Sequence, residues 1–169
     1  MAPILKNDFG NPSSTHLFGR SSKAIIEHSR RGNAKHINCQ PSELIFTSGG
    51  TEADNMAMFT SVIELGVKRI VTSRIEHHAV GHTASHIQEK YQVELVYVDV
   101  DDAGNVDLDH LERILGDSSQ KTLVSLMHAN NEIGTLLPIV EVSKICRKFG
   151  AYFHSDTVQT MGHYHFNLQ

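Results

Sequence analysis

The sequence predicts an α/β fold, a mostly parallel sheet with helices on both faces. Three features predict it. Short apolar runs alternate with longer segments of helical periodicity from Leu44 to Ser155. A helical segment separates each proposed strand from the next, which requires crossover connections and hence parallel pairing. Glycine, proline and aspartate punctuate the boundaries.

Leu44 to Thr47 is a short apolar run ending in Ser48-Gly49-Gly50, and predicts a strand and a tight loop. Thr51 to Leu65 predicts a helix, because Met56, Phe59 and Ile63 share one face and Gly66 suits its C-terminal stop. Arg69 to Ser73 predicts a strand. His78 to Tyr91 predicts a helix, with Val80, Ala84, Ile87 and Tyr91 at helical spacing. Val93 to Val100, rich in Val and Tyr, predicts a strand, and Asp101 to Asn105 a turn. A short helix is expected over Asp109 to Leu115, with Asp109 near its start, and a strand over Thr122 to Met127. Ala129 to Leu137 reads as a polar loop. Pro138 suits the first turn of a helix running to Phe149 and stopping at Gly150, and Ala151 to Ser155 is a last strand.

The chain of 169 residues suits one domain that can bury a core. Hydrophobic content of 40% and charged content of 20% are those of an ordinary globular protein. A net charge of -4 argues against a general nucleic-acid binder. No apolar stretch is long enough to span a bilayer, and Met1 to Phe9 has no apolar core of a secretory signal, so a cytoplasmic location is expected. Two cysteines, Cys39 and Cys146, make no disulfide framework and read as reduced thiols. There is no internal repeat, low-complexity tract or linker.

Parallel sheets bind ligands at the carboxyl ends of their strands. That rule directs attention to Ser48–Thr51, Glu76–His78, Asn130–Glu132 and Asp156–Gln159. In the first, glycines let the backbone approach an anion, a helix N-terminus attracts phosphate, and Thr51 adds a hydroxyl. A plain glycine-rich turn would carry the same residues. The lysine of a Walker loop and the glycine spacing of a dinucleotide site are both missing. In the second, His77 and His78 follow a strand, with His82 and His86 at helical spacing. His77, His82 and His86 could hold zinc, or the last two could be solvated helix residues, but no cysteine or carboxylate stands at ligand spacing, so no metal site is expected. His163 and His165 read as surface residues. In the third, the amides of Asn130 and Asn131 could bond a phenolic oxygen or a carboxylate, or simply shape a turn. In the fourth, Asp156 ends an apolar strand. It reads either as a helix N-cap, the favoured reading of that residue alone, or as a partner for a buried cation such as a pyridinium nitrogen.

Five ordered segments together are similar to the cysteine desulfurases, a family within the class V aminotransferases of pyridoxal-phosphate fold type I. They are Phe9-Gly10-Asn11-Pro12-Ser13-Ser14-Thr15-His16, Phe46-Thr47-Ser48-Gly49-Gly50-Thr51-Glu52-Ala53-Asp54-Asn55, Glu76-His77, Met127-His128-Ala129-Asn130-Asn131-Glu132-Ile133-Gly134, and Phe153-His154-Ser155-Asp156-Thr157-Val158-Gln159. The resemblance implies pyridoxal 5'-phosphate as cofactor. It implies that Gly50 and Thr51 hold the phosphate, that His77 stacks on the ring and moves protons, and that Asp156 pairs with the ring nitrogen. Asn131 and Gln159 would bond the phenolic oxygen or the substrate. The implied reaction converts L-cysteine to L-alanine and leaves a persulfide on the enzyme. Selenocysteine lyase is the neighbouring activity on the same motifs, and a non-catalytic interaction module is the reading from another class.

The resemblance also sets expectations for what this stretch omits. In the family a Ser-x-His-Lys segment follows the last strand here, and its lysine forms the Schiff base; a catalytic cysteine and a substrate-binding arginine come later still. Residues 1–169 are therefore expected to be part of the large cofactor domain, cut at both ends, and inactive and poorly stable alone. Neither Cys39 nor Cys146 takes the persulfide role. The whole protein is expected to be a homodimer that passes sulfur to an acceptor protein, such as a scaffold for iron–sulfur clusters or a tRNA-thiolation relay.

Overall fold

A computed structural model describes residues 2–117 and 119–168; Met1, Ser118 and Gln169, which fall within the expected 1–169 domain span, lie outside the described residues. The chain forms two compact units, Thr47–Met161 and a second made of the residues up to Phe46 with those from Gly162 onward.

The larger unit carries the expected fold. Its four-stranded sheet has the order β2-β1-β3-β4, with β1 at Arg69–Thr72, β2 at Glu94–Tyr97, β3 at Thr122–Ser125 and β4 at Tyr152–His154. All three pairings are parallel, with Ile70 beside Leu95 and Leu123, and Val124 beside Phe153. The central strands β1 and β3 are buried throughout, while the edge strands β2 and β4 are partly exposed. This is the burial expected where helices cover both faces.

Alternation along the strands decides which core each residue joins. Ile70 and Leu123 face α3 (Gly50–Ile63) and α4 (His78–Tyr91), packing with Met58, Val62, Val80, Ala84 and Ile87. Val71 and Val124 face the other way, toward α5 (Leu108–Gly116) and α6 (Ile139–Lys148), packing with Leu111, Leu115, Val142 and Cys146. Asp107 caps α5 by accepting from the His110 N–H at 2.8 Å, so the helix starts at Leu108, one residue before Asp109.

The smaller unit contains α1 (Ala2–Asn7) and α2 (Leu17–His36). The His16 Nδ1 caps α2 by accepting from the Gly19 N–H at 3.3 Å. A Cβ on Gly19 would lie 2.5 Å from the Asn11 and Ser14 carbonyl oxygens, so the Asn11–Ser14 turn can approach this helix only at glycine. Ser21 Oγ donates to Asp8 Oδ1 at 2.8 Å and fastens α1 to α2. Near the chain's end, the Leu168 N–H donates to the Ile37 carbonyl at 3.1 Å.

The strand expected over Leu44–Thr47 is not formed. Leu44 is extended, but the segment pairs with no strand among the described residues, and Ile45 and Phe46 are exposed. Arg30 covers it instead, its guanidinium 4.7 Å from the centre of the Phe46 ring and bonded to the Leu44 carbonyl. Its apolar character serves that contact; a strand needs a backbone partner as well as apolar side chains.

Candidate active site

The segments expected at the strand ends converge. Gly50, Thr51, His77, Asn131, Asp156 and Gln159 line one open cleft of about 230 Å³, and Asp54 and Val158 complete its wall.

Gly50 and Thr51 open α3, and no side chain caps that end. The Glu52 carboxylate turns back instead, accepting from the Ser48 Oγ and the Ser48 N–H at 2.6 Å each. Those bonds hold its carboxyl below the usual range. The N–H groups of the first turn are left as an anion cradle. A Cβ on Gly50 would lie 2.8 Å from Val158 Cγ2, so glycine keeps this wall open.

His77 is the N-cap of α4, and its Nδ1 accepts from the Ala79 N–H at 3.1 Å. A neutral imidazole held this way carries its hydrogen on Nε2. The loop bearing it is latched from two sides. Glu76 accepts from Ser73 Oγ at 2.6 Å and from the Met127 N–H at 2.8 Å. Asn130 Nδ2 donates to the Ile75 carbonyl at 2.7 Å. Burial pushes the Glu76 carboxyl up to about 7, against its two hydrogen bonds, with Asp156 and Asp54 adding smaller upward contributions.

The amide pair in the third loop divides its work. Asn130 is buried, and its Oδ1 accepts from the Glu132 and Ile133 N–H groups at 2.8 and 3.0 Å. It shapes the turn, and its exposed neighbour Asn131 lines the cleft. At the fourth loop no helix follows Asp156. Its Oδ1 accepts from the Val158 N–H at 2.9 Å in a three-residue turn, and its carbonyl accepts from the His128 N–H at 2.9 Å. The N-cap reading of Asp156 is therefore corrected: the carboxylate shapes a loop and stays half-buried at the cleft. His128 secures the loop's far end, its Nδ1 2.8 Å from Thr160 Oγ1, and burial lowers its pKa.

Sequence reasoning gave Asp54 no role of its own, and it placed Glu76 and Asn130 at the strand ends without showing that they latch the His77 loop. A signal for Asp54 was present: it stands one helical turn after Gly50 and Thr51 and so shares their face. His78, His82 and His86 do not line the cleft. The His78 and His82 rings stack with centroids 5.0 Å apart, and His86 meets Phe59 edge-on. Among the described residues, no group of three or more His, Cys, Asp and Glu is placed to hold a metal ion. Cys146 is buried in the core, where desolvation pushes its thiol up to about 12, so it packs and does not act as a nucleophile. No helix of the described residues is long and apolar enough to cross a membrane.

The sequence profile of the aminotransferase class-V family matches residues 1–169. The chain belongs to the class V aminotransferases. Proteins of this family are pyridoxal-phosphate enzymes. Among its relatives, cysteine desulfurase IscS of Dictyoglomus turgidum is 48% identical over 170 residues, covering 99% of this chain and 42% of that protein. The mitochondrial cysteine desulfurase of Saccharomyces cerevisiae is 40% identical over 163 residues, covering 95% of this chain and 32% of that one. Among solved structures, a NifS-like protein superposes with a TM-score of 0.89 at 36% identity, over 99% of this chain and 46% of its own. SspA in complex with cysteine gives 0.87 at 26%, over 98% of this chain and 48% of its own. This class V chain thus spans less than half the length of these relatives.

Proposed function

We propose that residues 1–169 are the cofactor-holding part of a cysteine desulfurase, a partial large domain whose whole protein takes sulfur from L-cysteine. The net reaction moves one sulfur atom from L-cysteine to an enzyme thiol, giving L-alanine and a persulfide that an acceptor protein then receives. The observation that carries this reading is the convergence of six residues from separate loops on one cleft, with an uncapped helix start and a half-buried carboxylate both in its wall. A phosphate fits the first and a protonated pyridine the second. Similarity to proteins named as cysteine desulfurases, and to a structure that contains cysteine, favours that substrate.

Bound pyridoxal phosphate supplies an electron sink for a carbanion formed next to it. The chain's residues do the rest. Gly50 and Thr51 bind the phosphate through backbone N–H and hydroxyl. Asp156 keeps the proton on the ring nitrogen. His77, whose Nδ1 is occupied by the Ala79 N–H, would have Nε2 for holding or moving a proton beside the bound ring. Asn131 and Gln159 donate amide hydrogens to the phenolic oxygen or the substrate carboxylate. No lysine or cysteine lines the cleft among the described residues, so binding by these residues alone is non-covalent.

Titrating the chain with pyridoxal phosphate, and with pyridoxal as control, tests the cofactor reading. Saturable binding that needs the phosphate is expected; its absence would leave an interaction module as the better reading. Alanine release from L-cysteine by the whole gene product tests the activity. Gly50→Ala should weaken inorganic phosphate about tenfold, because the new methyl itself occupies the cleft wall at the anion cradle and displaces Val158. Val158 is 63% exposed and free to yield, so the melting temperature should hardly move.

A further inference from the structure

The cleft presents two carboxylates to a cofactor that carries both a phosphate and a cationic ring. Asp156 has a use for its charge. Asp54 does not: it is 5% exposed, on the second turn of the helix whose start is the anion cradle. A bare carboxylate there would repel a phosphate at Gly50 and Thr51 and compete with Asp156 for the ring.

A polar pair crosses from the sheet to this carboxylate. His154, the last residue of β4, faces Asp54 Oδ1 with Nε2 at 3.5 Å. Its Nδ1 lies 2.9 Å from the Oγ of Ser125, its registered neighbour on β3. Ser125 and Leu123 stand two apart on the strand and so share the face toward α3 and α4. The pair therefore sits at the sheet–helix interface, where water cannot screen a lone charge well. Ser125 thus holds the ring by Nδ1, and Nε2 is the nitrogen that meets the carboxylate.

We propose that His154 pairs with Asp54 and shields its charge, so that the cleft takes a phosphate at the start of α3 and leaves Asp156 as the one carboxylate open to a cationic ring. His154 is a positioning residue that acts through Asp54 and touches no ligand. This inference rests on the cofactor reading above, and it adds a determinant of what the cleft accepts.

The test uses the whole gene product freed of cofactor, titrated with pyridoxal phosphate and, separately, with inorganic phosphate. His154→Gln should weaken both about tenfold, the effect of one unpaired charge close to the anion. Asp54→Asn should bind inorganic phosphate at least as tightly as the wild type. The double variant H154Q/D54N should return to within about twofold of the wild type, because it has neither the charge nor the need to balance it. That rescue is what a purely structural role for His154 would not give. An unchanged H154Q, or a double variant as weak as H154Q, overturns the proposal. Should H154Q fail to fold, D54N decides: weaker phosphate binding overturns the proposal, and equal or tighter binding supports it. A wild type that binds neither ligand overturns the cofactor reading as well, whereas wild-type binding with an unchanged H154Q overturns only this inference.

Discussion

Asp156→Asn is expected to weaken pyridoxal phosphate by about ten- to a hundredfold, the range of a hydrogen bond to a charged group. The substitution is chosen to keep the loop. Asn retains an oxygen for the Val158 N–H, 2.9 Å from Asp156 Oδ1, and the Asp156 carbonyl still accepts from His128. Only the charge is lost. Inorganic phosphate, held at the start of α3, should therefore bind within about twofold of the wild type. Isothermal titration with the two ligands separates the outcomes. Equal loss for both would mean that the loop had collapsed, and no loss for either would remove Asp156 from the cation site.

Glu76→Gln should make the protein more stable at pH 8 and flatten its response to pH. Folding moves this carboxyl from an ordinary value of 4.5 to about 7, chiefly through burial. Between those values the folded state holds a proton that the unfolded chain has released. Stability therefore falls as pH rises from 4.5 toward 7, and is level above it. The full displacement corresponds to at most about 3 kcal/mol, and partial exposure of the residue brings the expectation to about 1–2 kcal/mol. Gln removes the charge while its amide still offers an oxygen to Met127 and a hydrogen to Ser73, partners now at 2.8 and 2.6 Å. Denaturant midpoints of wild type and E76Q at pH 5 and pH 8 would show it. Parallel pH profiles for the two proteins would rule this account out.

Much of the larger unit could be read from its amino acids, for a physical reason. A buried parallel strand needs apolar residues on both faces, as Ile70-Val71 and Leu123-Val124 supply, and the helices that cover it need an apolar stripe. The α4 helix has Val80, Ala84 and Ile87 on such a stripe and was expected at the bounds it has, His78–Tyr91. The α2 helix, Leu17–His36, was not expected, because its buried residues are Gly19, Ser22 and Ala34. It buries small residues and leaves Leu17 and Phe18 exposed, so its burial does not follow its large apolar side chains. Leu44–Thr47 shows the opposite error: apolar side chains without a backbone partner.

The cleft was legible to a similar extent. The rule for strand ends and the family resemblance together pointed to six residues that line it, though they gave no role to Asp54 or Val158. They could not find what fastens those residues. Glu76 reaches Met127, and Asn130 reaches Ile75, across more than one element of the fold. Asp54 meets His154 from the opposite end of the unit's sequence. Such pairs depend on which loops the topology brings together, and no local pattern encodes them.

The same topology gives the cleft a history during folding. Its walls come from loops as far apart as Gly50 and Gln159, each delivered by a different crossover of the chain. No early intermediate with only β1 and β3 paired can own it, since β4 brings Asp156. Contacts so distant in sequence close late and slowly. A ligand that needs all of them binds only the finished unit, and stabilises it by RT ln(1 + [L]/Kd). Occupancy of the cleft would then count completed molecules, and the rate at which ligand is taken up after dilution from denaturant would time the arrival of the last strand.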